Sequence, residues 1–473
     1  MEDKTKPALF PPDQIVKSCP RIESGLRLGS EAVTACAFSI VHSPDYWAAH
    51  EVPENLTKQD LVNKRIELFQ ELNREGTNVS CSRCTKVQEK RYEDVSFDKL
   101  GFVDLAHYSY CNLRCDYCGF TKLDMFHKPR YEALNVLSLF SEDDVEFDAS
   151  VDFNSGEPSL LKNIGEYLSF LRKNKIRTRL YSNAVKYSPE IARALGDGTV
   201  TWLIVSVDAG TSETFARTKL RDNYDEVIDN IAKYNEHCQA PEAGRVAVKY
   251  IFTRNNCAAE DITGFVSDML RVRPHQIWLL HDFEDVNIVH TDNLDEQNHA
   301  YADMYVEFVK AGVVPSHFHE TFLHQVTNNS HELLNKVKAL IAIKMEDAGI
   351  RQLPSERAPD ISMPLSELVD EISSRRLGRC ALAPAGLASV NLLQALGDER
   401  PVSALFDISK AKTGKICEGL HVQHYCDFRP EDFDTVLVTS EYHFSSIVQE
   451  LGGRDSLEDL RICLLESEAH SAL

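Results

Sequence analysis

Between residues 96 and 300 the chain alternates six strand-like runs with segments of crossover length, and this alternation constrains the fold more than any other feature. The runs are Phe102 to Tyr108, Ala149 to Phe153, Arg177 to Tyr181, Thr201 to Val207, Arg245 to Phe252 and Gln276 to His281. Helix-compatible stretches such as Asn163 to Asn174 and Ser212 to Glu236 lie between them. Strand, crossover, strand points to parallel pairing, because the chain must return to the same end of the sheet before the next strand starts. The expected fold is therefore α/β, a partial (β/α)6 barrel of the TIM type, with its chemistry at the carboxyl ends of the strands. Asn154, Ser182, Asn183, Ser206, Asp208, Lys249 and His281 collect there, although strand ends are polar in any case.

Directly after the first run comes YSYCNLRCDYCGF (Tyr108 to Phe120), with Cys111, Cys115 and Cys118 in a C-x3-C-x2-C spacing. Iron–sulfur clusters usually take four thiolates, so a tight set of three can grip three corners of a cubane and leave one iron open. The plainer readings are a zinc knuckle lacking its fourth ligand, or three unrelated buried thiols. Four more cysteines precede this stretch. Cys19 and Cys36 bracket a segment whose middle, GLRLGSEAVT, reads as two short strands around a Gly-Ser-Glu turn, and CSRC supplies Cys81 and Cys84. Four thiolates complete a set for a second cluster or a structural zinc. Alternatively Cys19 and Cys36 are core residues and only the C-x2-C pair binds anything. Leu56 to Glu75 fits an amphipathic helix through Leu61, Ile66, Leu68, Phe69 and Leu72.

Thirteen cysteines without an export signal imply a reducing, cytoplasmic setting, where thiols more often bind metal than pair. The opening MEDKTKPALFPPDQ lacks the apolar core of a signal peptide. No apolar run reaches the length of a membrane span, so no membrane association is expected. With 73 acidic against 51 basic residues, a net charge of −22 and no long basic run, nucleic-acid binding is disfavoured.

We divide the chain into a cysteine-rich module (1–95), the barrel (96–300), a helical segment and linker (301–375) and a C-terminal α/β domain (376–473). YADMYVEFVKAG and HELLNKVKALIAIKMEDAG read as helices, and Arg351 to Pro364 as a linker. In the last domain, GRCALAPAG, LASVNLLQALG, VSALFDIS ending at Asp407, TVLVTS and YHFSSIVQELGG give strand, tight turn, helix, strand ending in an acid, strand and helix. That is the opening of a Rossmann-type unit. Its turn, Ala383-Pro384-Ala385-Gly386, does not supply G-x-G-x-x-G, so the fold is expected and dinucleotide binding is not. Cys380, Cys417 and Cys426 lack metal-ligand spacing and read as structural thiols.

The central segment resembles the radical S-adenosylmethionine (radical SAM) superfamily. Cys111, Cys115 and Cys118 match its cluster-binding cysteines, and Tyr117 the aromatic position beside the adenine. Ser155-Gly156-Glu157-Pro158 matches the segment that receives the methionine amino group, with Ser155 where the family usually has glycine. Ser182-Asn183 and VSVDAGTSETF (Val205 to Phe215), with Ser206 and Asp208, are similar to segments that contact the ribose and the methionine carboxylate. The resemblance implies a 4Fe-4S cluster chelated by S-adenosylmethionine, one-electron cleavage to a 5′-deoxyadenosyl radical, and hydrogen abstraction from a substrate. It also implies a reductase, flavodoxin or ferredoxin as electron donor. Cys19, Cys36, Cys81 and Cys84 look like a SPASM- or twitch-type auxiliary module, here ahead of the barrel instead of behind it, holding a second 4Fe-4S cluster. The C-terminal domain loosely resembles Rossmann-like domains of sugar-nucleotide enzymes.

The expected function is a radical SAM oxidoreductase acting on a small polar substrate, a sugar or nucleotide-sugar-like alcohol, with the auxiliary cluster accepting the second electron. Alternatives are modification of a ribosomal peptide by crosslinking or epimerisation, and a non-catalytic iron–sulfur sensor. An epimerase needs a hydrogen donor; Cys257 could serve, or it is a packed thiol. Lys249, Arg254, Asp282 and Glu284 could orient a substrate or form ordinary ion pairs, while Trp278 and Tyr250 read as core.

Overall fold

The computed structural model describes residues 7–36, 45–84, 87–122, 124, 129–240, 243–282, 294–317, 328–350, 361–374, 377–397, 401–407, 412–439, 447–448, 451, 457 and 460–465. Its strands are β1 (Ile15–Ser18), β2 (Gly25–Gly29), β3 (Ala32–Thr34), β4 (Asp45–Ala48), β5 (Gln88–Arg91), β6 (Leu100–Ala106), β7 (Val145–Phe153), β8 (Arg177–Ser182), β9 (Val200–Ser206), β10 (Arg245–Phe252), β11 (Gln276–His281) and β12 (Ser316–His317). The C-terminal part adds β13 (Ile361–Met363), β14 (Cys380–Ala383), β15 (Val402–Asp407), β16 (Ile416–Cys417), β17 (Leu420–His424), β18 (Thr435–Val438) and β19 (Arg461–Leu465). The helices are α1 (Pro20–Ser24), α2 (Lys58–Leu72), α3 (Gly119–Lys122), α4 (Ala133–Leu137), α5 (Ile164–Lys173), α6 (Pro189–Gly196), α7 (Ser212–Lys219), α8 (Tyr224–Asn235), α9 (Ala259–Val272), α10 (Asp295–Lys310), α11 (Asn328–Asp347), α12 (Leu365–Ser373) and α13 (Leu387–Leu396).

The six expected strands are β6 to β11, and they pair in sequence order, each parallel to the next. The fold is parallel-rich α/β, consistent with a partial barrel. The segment Ser212 to Glu236 holds two helices, α7 and α8, because Leu220 turns left-handed (φ 56°) and ends α7.

The N-terminal hairpin is present as β2 and β3 around Ser30-Glu31, but it does not stand apart. β2 pairs parallel to β6, Arg27 opposite Asp104, so the ten-stranded sheet runs across the division expected at residues 95 and 96. Helix α2 locks the same junction. Thr57 and Asp60 form a capping box that starts it, and Leu61, Leu68, Phe69 and Leu72 are buried on one face. Arg65, fully buried between them, donates to Phe97 O (2.8 Å), Lys99 O (2.7 Å) and Gly25 O (3.2 Å).

The two faces of the sheet differ. Leu203 and Val205 point into the main core, with Val246, Val248 and the helices. Ile204, Ala247 and Trp278 form a separate small cluster on the opposite face, with Tyr181, Trp202 and Leu280 against it. Side chains alternate between faces along a strand, so register decides what each face carries.

The second sheet has seven strands in the order β13-β19-β18-β14-β15-β17-β16, parallel except for the β16–β17 edge. The expected linker needs correction: Ile361–Met363 is a strand of this sheet, paired to Cys463–Leu465, because its apolar residues gain a partner that only the far end of the chain supplies. The rest of that linker (351–360) and most of the expected helix YHFSSIVQELGG lie outside the described residues.

Candidate active site

Four strand ends meet at one edge of the large sheet. The loop after β6 carries Cys111, Cys115 and Cys118, all half-buried. Burial pushes the Cys111 thiol up to about 11, against the Leu113 amide, which lies 3.4 Å from its sulfur. The loop is stitched down from outside: Arg114 N donates to Lys219 O (3.2 Å) and Asp116 N to Thr218 O (3.0 Å), both at the end of α7. Asn255 Nδ2 reaches Asp116 Oδ2 at 2.7 Å.

After β7, Gly156 sits at φ 62°. A β-carbon there would stand 2.6 Å from Tyr108 O and 2.8 Å from Tyr110 O, so only glycine lets this turn approach the cysteine loop. Glu157 is fully buried. Its Oε1 accepts from Ser182 Oγ (2.9 Å) and Ser159 N (3.0 Å), and its Oε2 from Asn183 N (2.7 Å). Burial raises its carboxyl above the usual range. The side chain is thus spent bracing the end of β8, and what the segment offers outward is backbone and Ser155 Oγ, which is buried with no hydrogen-bond partner among the described residues.

After β8, Asn183 Nδ2 donates to Cys111 Sγ (3.4 Å) and Asn112 Oδ1 (2.8 Å). After β9, Asp208 adopts φ 55°, and its Oδ1 accepts from Ile251 N (2.7 Å). Its Oδ2 takes both Lys219 Nζ and the Tyr117 hydroxyl, and Lys219 also bonds Tyr117. Burial, then the Asp208 charge, raises the Tyr117 hydroxyl well above its usual value. Asn256 Nδ2 holds Asp208 O at 2.9 Å and Ile251 O at 2.8 Å. Tyr117, Ser155, Gly156, Glu157, Ser182, Asn183 and Asp208 are therefore joined by contacts to the cysteine loop or to one another, while Ser206 ends β9 opposite Lys249.

Residues 105–240 match the family description Radical SAM superfamily. They are a radical SAM domain. Its cofactors are a 4Fe-4S cluster and S-adenosylmethionine. Among solved structures, the chain is similar to SuiB of Streptococcus suis bound to S-adenosylmethionine, with 17% identity over 39% of this chain and 41% of that one, TM-score 0.31. It is also similar to archaeal TYW1 (18% identity, 41% and 57% covered, TM-score 0.25) and to the methyltransferase TsrM of Kitasatospora setae (12%, 38% and 34%, TM-score 0.30). The chain thus spans about two fifths of the length of SuiB. No curated protein matches the sequence.

The radical SAM domain fits both cofactors. Gly156 lets the turn after β7 pack directly on the cysteine loop, and the buried Ser155 hydroxyl there has no hydrogen-bond partner among the described residues, so a bound polar group would satisfy it. Among the described residues no three His, Cys, Asp or Glu side chains close on a single metal ion; a cubane instead takes each thiolate on a separate iron.

The other four expected ligands also share a neighbourhood. Cys19 lies within electrostatic reach of Cys36 and Cys84, and Cys81 of Cys19, Cys84 and Cys36. Burial first, then these neighbours, pushes Cys81 up to about 12. Arg21, in α1, links this group to the barrel: Cys36, Asp152, Arg179 and Cys19 all act on its charge, and its guanidinium lies 3.4 Å over the Phe102 ring.

Arg21 belongs to a set that the motifs did not single out. Arg27, Asp104, Asp152 and Arg179 are opposite one another across β2, β6, β7 and β8. Arg27 Nη1 meets Asp104 Oδ2 at 2.8 Å, and Arg179 Nη2 meets Asp152 Oδ2 at 2.5 Å. Asp104 Oδ1 is buried without a partner among the described residues. Nearer the cysteines, Lys249 lies opposite Ser206 and over the Tyr181 ring (5.7 Å). Lys219 was also missed, since a lysine ending a helix looks solvated until the fold buries it.

Cys257 donates to Thr253 O at 3.0 Å and packs on the core, with burial pushing it up to about 12. Tyr250 and Trp278 are buried, as is Asp282, while Arg254 is exposed and Glu284 lies outside the described residues. Cys380 and Cys417 are buried and Cys426 is exposed, within 3.1 Å of His424 Nδ1. Among the described residues no helix is long and apolar enough to cross a membrane.

Proposed function

We propose that the chain is a radical SAM oxidoreductase acting on a small polar substrate of the sugar or nucleotide-sugar kind. The observation that carries this reading is the charged row Arg27, Asp104, Asp152 and Arg179 on the face of the sheet opposite the main core. A face lined by paired charges and an orphaned carboxylate oxygen suits hydroxyl and amine donors better than an apolar side chain.

Cys111, Cys115 and Cys118 would hold the first cluster, with Ser155, Gly156, Ser182, Asn183, Ser206, Asp208 and Tyr117 around the nucleoside and methionine. When bound, these cofactors supply the 5′-deoxyadenosyl radical that abstracts a hydrogen atom. The chain's own part is positional. Glu157 fixes the end of β8, Asn183 ties that end to Cys111, and the buried Lys219–Asp208 pair fixes Tyr117. Cys19, Cys36, Cys81 and Cys84 would hold a second 4Fe-4S cluster that accepts one electron from the substrate as the carbonyl forms, the accompanying proton leaving to solvent. Arg21, between these cysteines and the charged row, supports placing that acceptor beside the substrate. We further infer a Rossmann-like C-terminal domain and an electron donor of flavodoxin or ferredoxin type.

Iron and sulfide counts on anaerobically reconstituted protein, together with 5′-deoxyadenosine formation, test the reading. The wild type should hold about eight irons, and the Cys111→Ala, Cys115→Ala, Cys118→Ala variant about four, with no 5′-deoxyadenosine. A second site without iron would sink the oxidoreductase reading; no 5′-deoxyadenosine from the wild type would sink the enzyme.

A further inference from the structure

The C-terminal sheet reverses its order between β14 and β18: the chain moves outward through β15 and β17, then returns to the other side of β14. At such a reversal the two strand ends part and open a crevice, the usual ligand position of an open parallel sheet. The crevice here is bounded by the turn Ala383-Pro384-Ala385-Gly386, the start of α13, Asp407 and Thr439. Ser389 Oγ lies 2.6 Å from Pro384 O and 2.8 Å from Thr439 Oγ1, closing its floor. A helix start of this kind favours negative charge, because its first amides and the peptide dipoles point outward.

A negative charge already stands in it, and it comes from the barrel. Asp148, on β7, has its Oδ1 2.5 Å from Lys412 Nζ. Lys412 is only 2% exposed and bonds Asp407 Oδ2 (3.1 Å) and Ala385 O as well. A β-carbon on Gly386 would stand 3.5 Å from Asp148 Oδ2, so the carboxylate reaches the start of α13 itself. Arg177 completes the surround, pairing with the Asp148 carboxylate and donating to Asp148 O at 3.1 Å. Next to it, Phe147 packs on the core of the C-terminal sheet, and Lys415 Nζ donates to Lys175 O across the seam at 3.2 Å. Burial alone would raise the Asp148 carboxyl; Arg177, Lys412 and Lys415 outweigh it and hold the group below its usual range.

A carboxylate on a buried lysine at a helix start has the chemistry of a bound phosphate. We propose that Asp148 is the resident anion of this crevice. It makes the crevice a docking surface for the barrel, so that phosphate-bearing ligands and domain docking exclude one another. This accounts for the missing glycines of the turn: a loop that receives one carboxylate does not need the close backbone approach that a pyrophosphate requires. The proposal is independent of the cluster chemistry.

Hydrogen exchange on the full-length, cluster-loaded chain tests it, with pyrophosphate as the probe. In Asp148→Asn, amides around 145–150 and 385–390 should exchange about tenfold faster, while the inner strands β14 and β18 stay protected because the domain itself remains folded. Millimolar pyrophosphate should leave the wild-type seam unchanged and restore protection at 385–390 in Asp148→Asn. Adding Lys412→Met to that variant should abolish the restoration. An unchanged seam in Asp148→Asn, or pyrophosphate protection with Asp148 in place, would overturn the proposal. So would pyrophosphate protection that persists without Lys412.

Discussion

Asn183 donates from Nδ2 to the sulfur of Cys111 at 3.4 Å, across 72 positions of sequence. The bond joins the end of β8 to the first cysteine of the radical SAM loop, and the same amide group reaches Asn112 Oδ1. A donor to a ligating sulfur orients it and tunes the metal it holds, and losing one typically costs about 10–100-fold in affinity or activity. Asn183→Leu should therefore lower cluster retention by about tenfold. Iron content after a timed chelator challenge is the measurement.

Gly156→Ala should weaken both fold and site. Its φ of 62° is unfavourable for any side chain, and its β-carbon would meet Tyr108 O at 2.6 Å. The conformational cost alone is about 1–2 kcal/mol, and the contact adds to it. Urea unfolding reads the stability, and S-adenosylmethionine binding to the loaded protein reads the displaced loop.

The Lys219–Asp208 pair is almost wholly buried, at 1% and 0% exposure. Removing one partner leaves the other charge uncompensated, at a cost of about 3–5 kcal/mol. Lys219→Met should lose that much. The double variant Lys219→Met, Asp208→Asn should recover part of it, because no lone charge stays behind. A double-mutant cycle by denaturant unfolding checks the sign of the coupling.

His107 should make stability fall on mild acidification. Burial, opposed by Glu132, pushes its imidazole down to about 4, from an ordinary 6.5. Between those values the unfolded chain binds the proton and the folded chain does not, so stability drops as pH falls from about 6.5 towards about 4. Each pH unit inside the window is worth up to about 1.4 kcal/mol. Its Nε2 lies 3.0 Å from the Tyr167 hydroxyl, a contact that His107→Gln can keep through its amide. That variant should lose this part of the pH dependence, seen as a smaller shift of the urea midpoint between pH 7 and pH 5.

The strand and cysteine patterns were readable because they are local. Arg245–Phe252 and Gln276–His281 have the bounds read from the sequence, since their largely apolar interiors, Val246–Phe252 and Ile277–Leu280, mark a strand covered on both faces. The glycine at 156 and the cysteine spacing are likewise properties of a few adjacent residues. Less of the candidate site's internal bonding could be read. Glu157 gives the sequence no sign that its carboxylate faces Ser182 and Asn183, and Ile361–Met363 gives none that Cys463–Leu465 awaits it.

The sequence by itself determined the βα order, the cysteine loop and the short segments at the strand ends beside it. Tertiary structure decided that β2 continues the barrel sheet, that Arg27, Asp104, Asp152 and Arg179 form one row, that Lys219 is buried on Asp208, and that Asp148 fills the C-terminal crevice. The reason is register. A one-residue slip would carry the strand residues Arg27, Asp104, Asp148, Asp152 and Arg179 to the opposite face, and only pairing between distant strands sets which face that is, while Lys219 is buried only because α7 packs its end against the turn that carries Asp208.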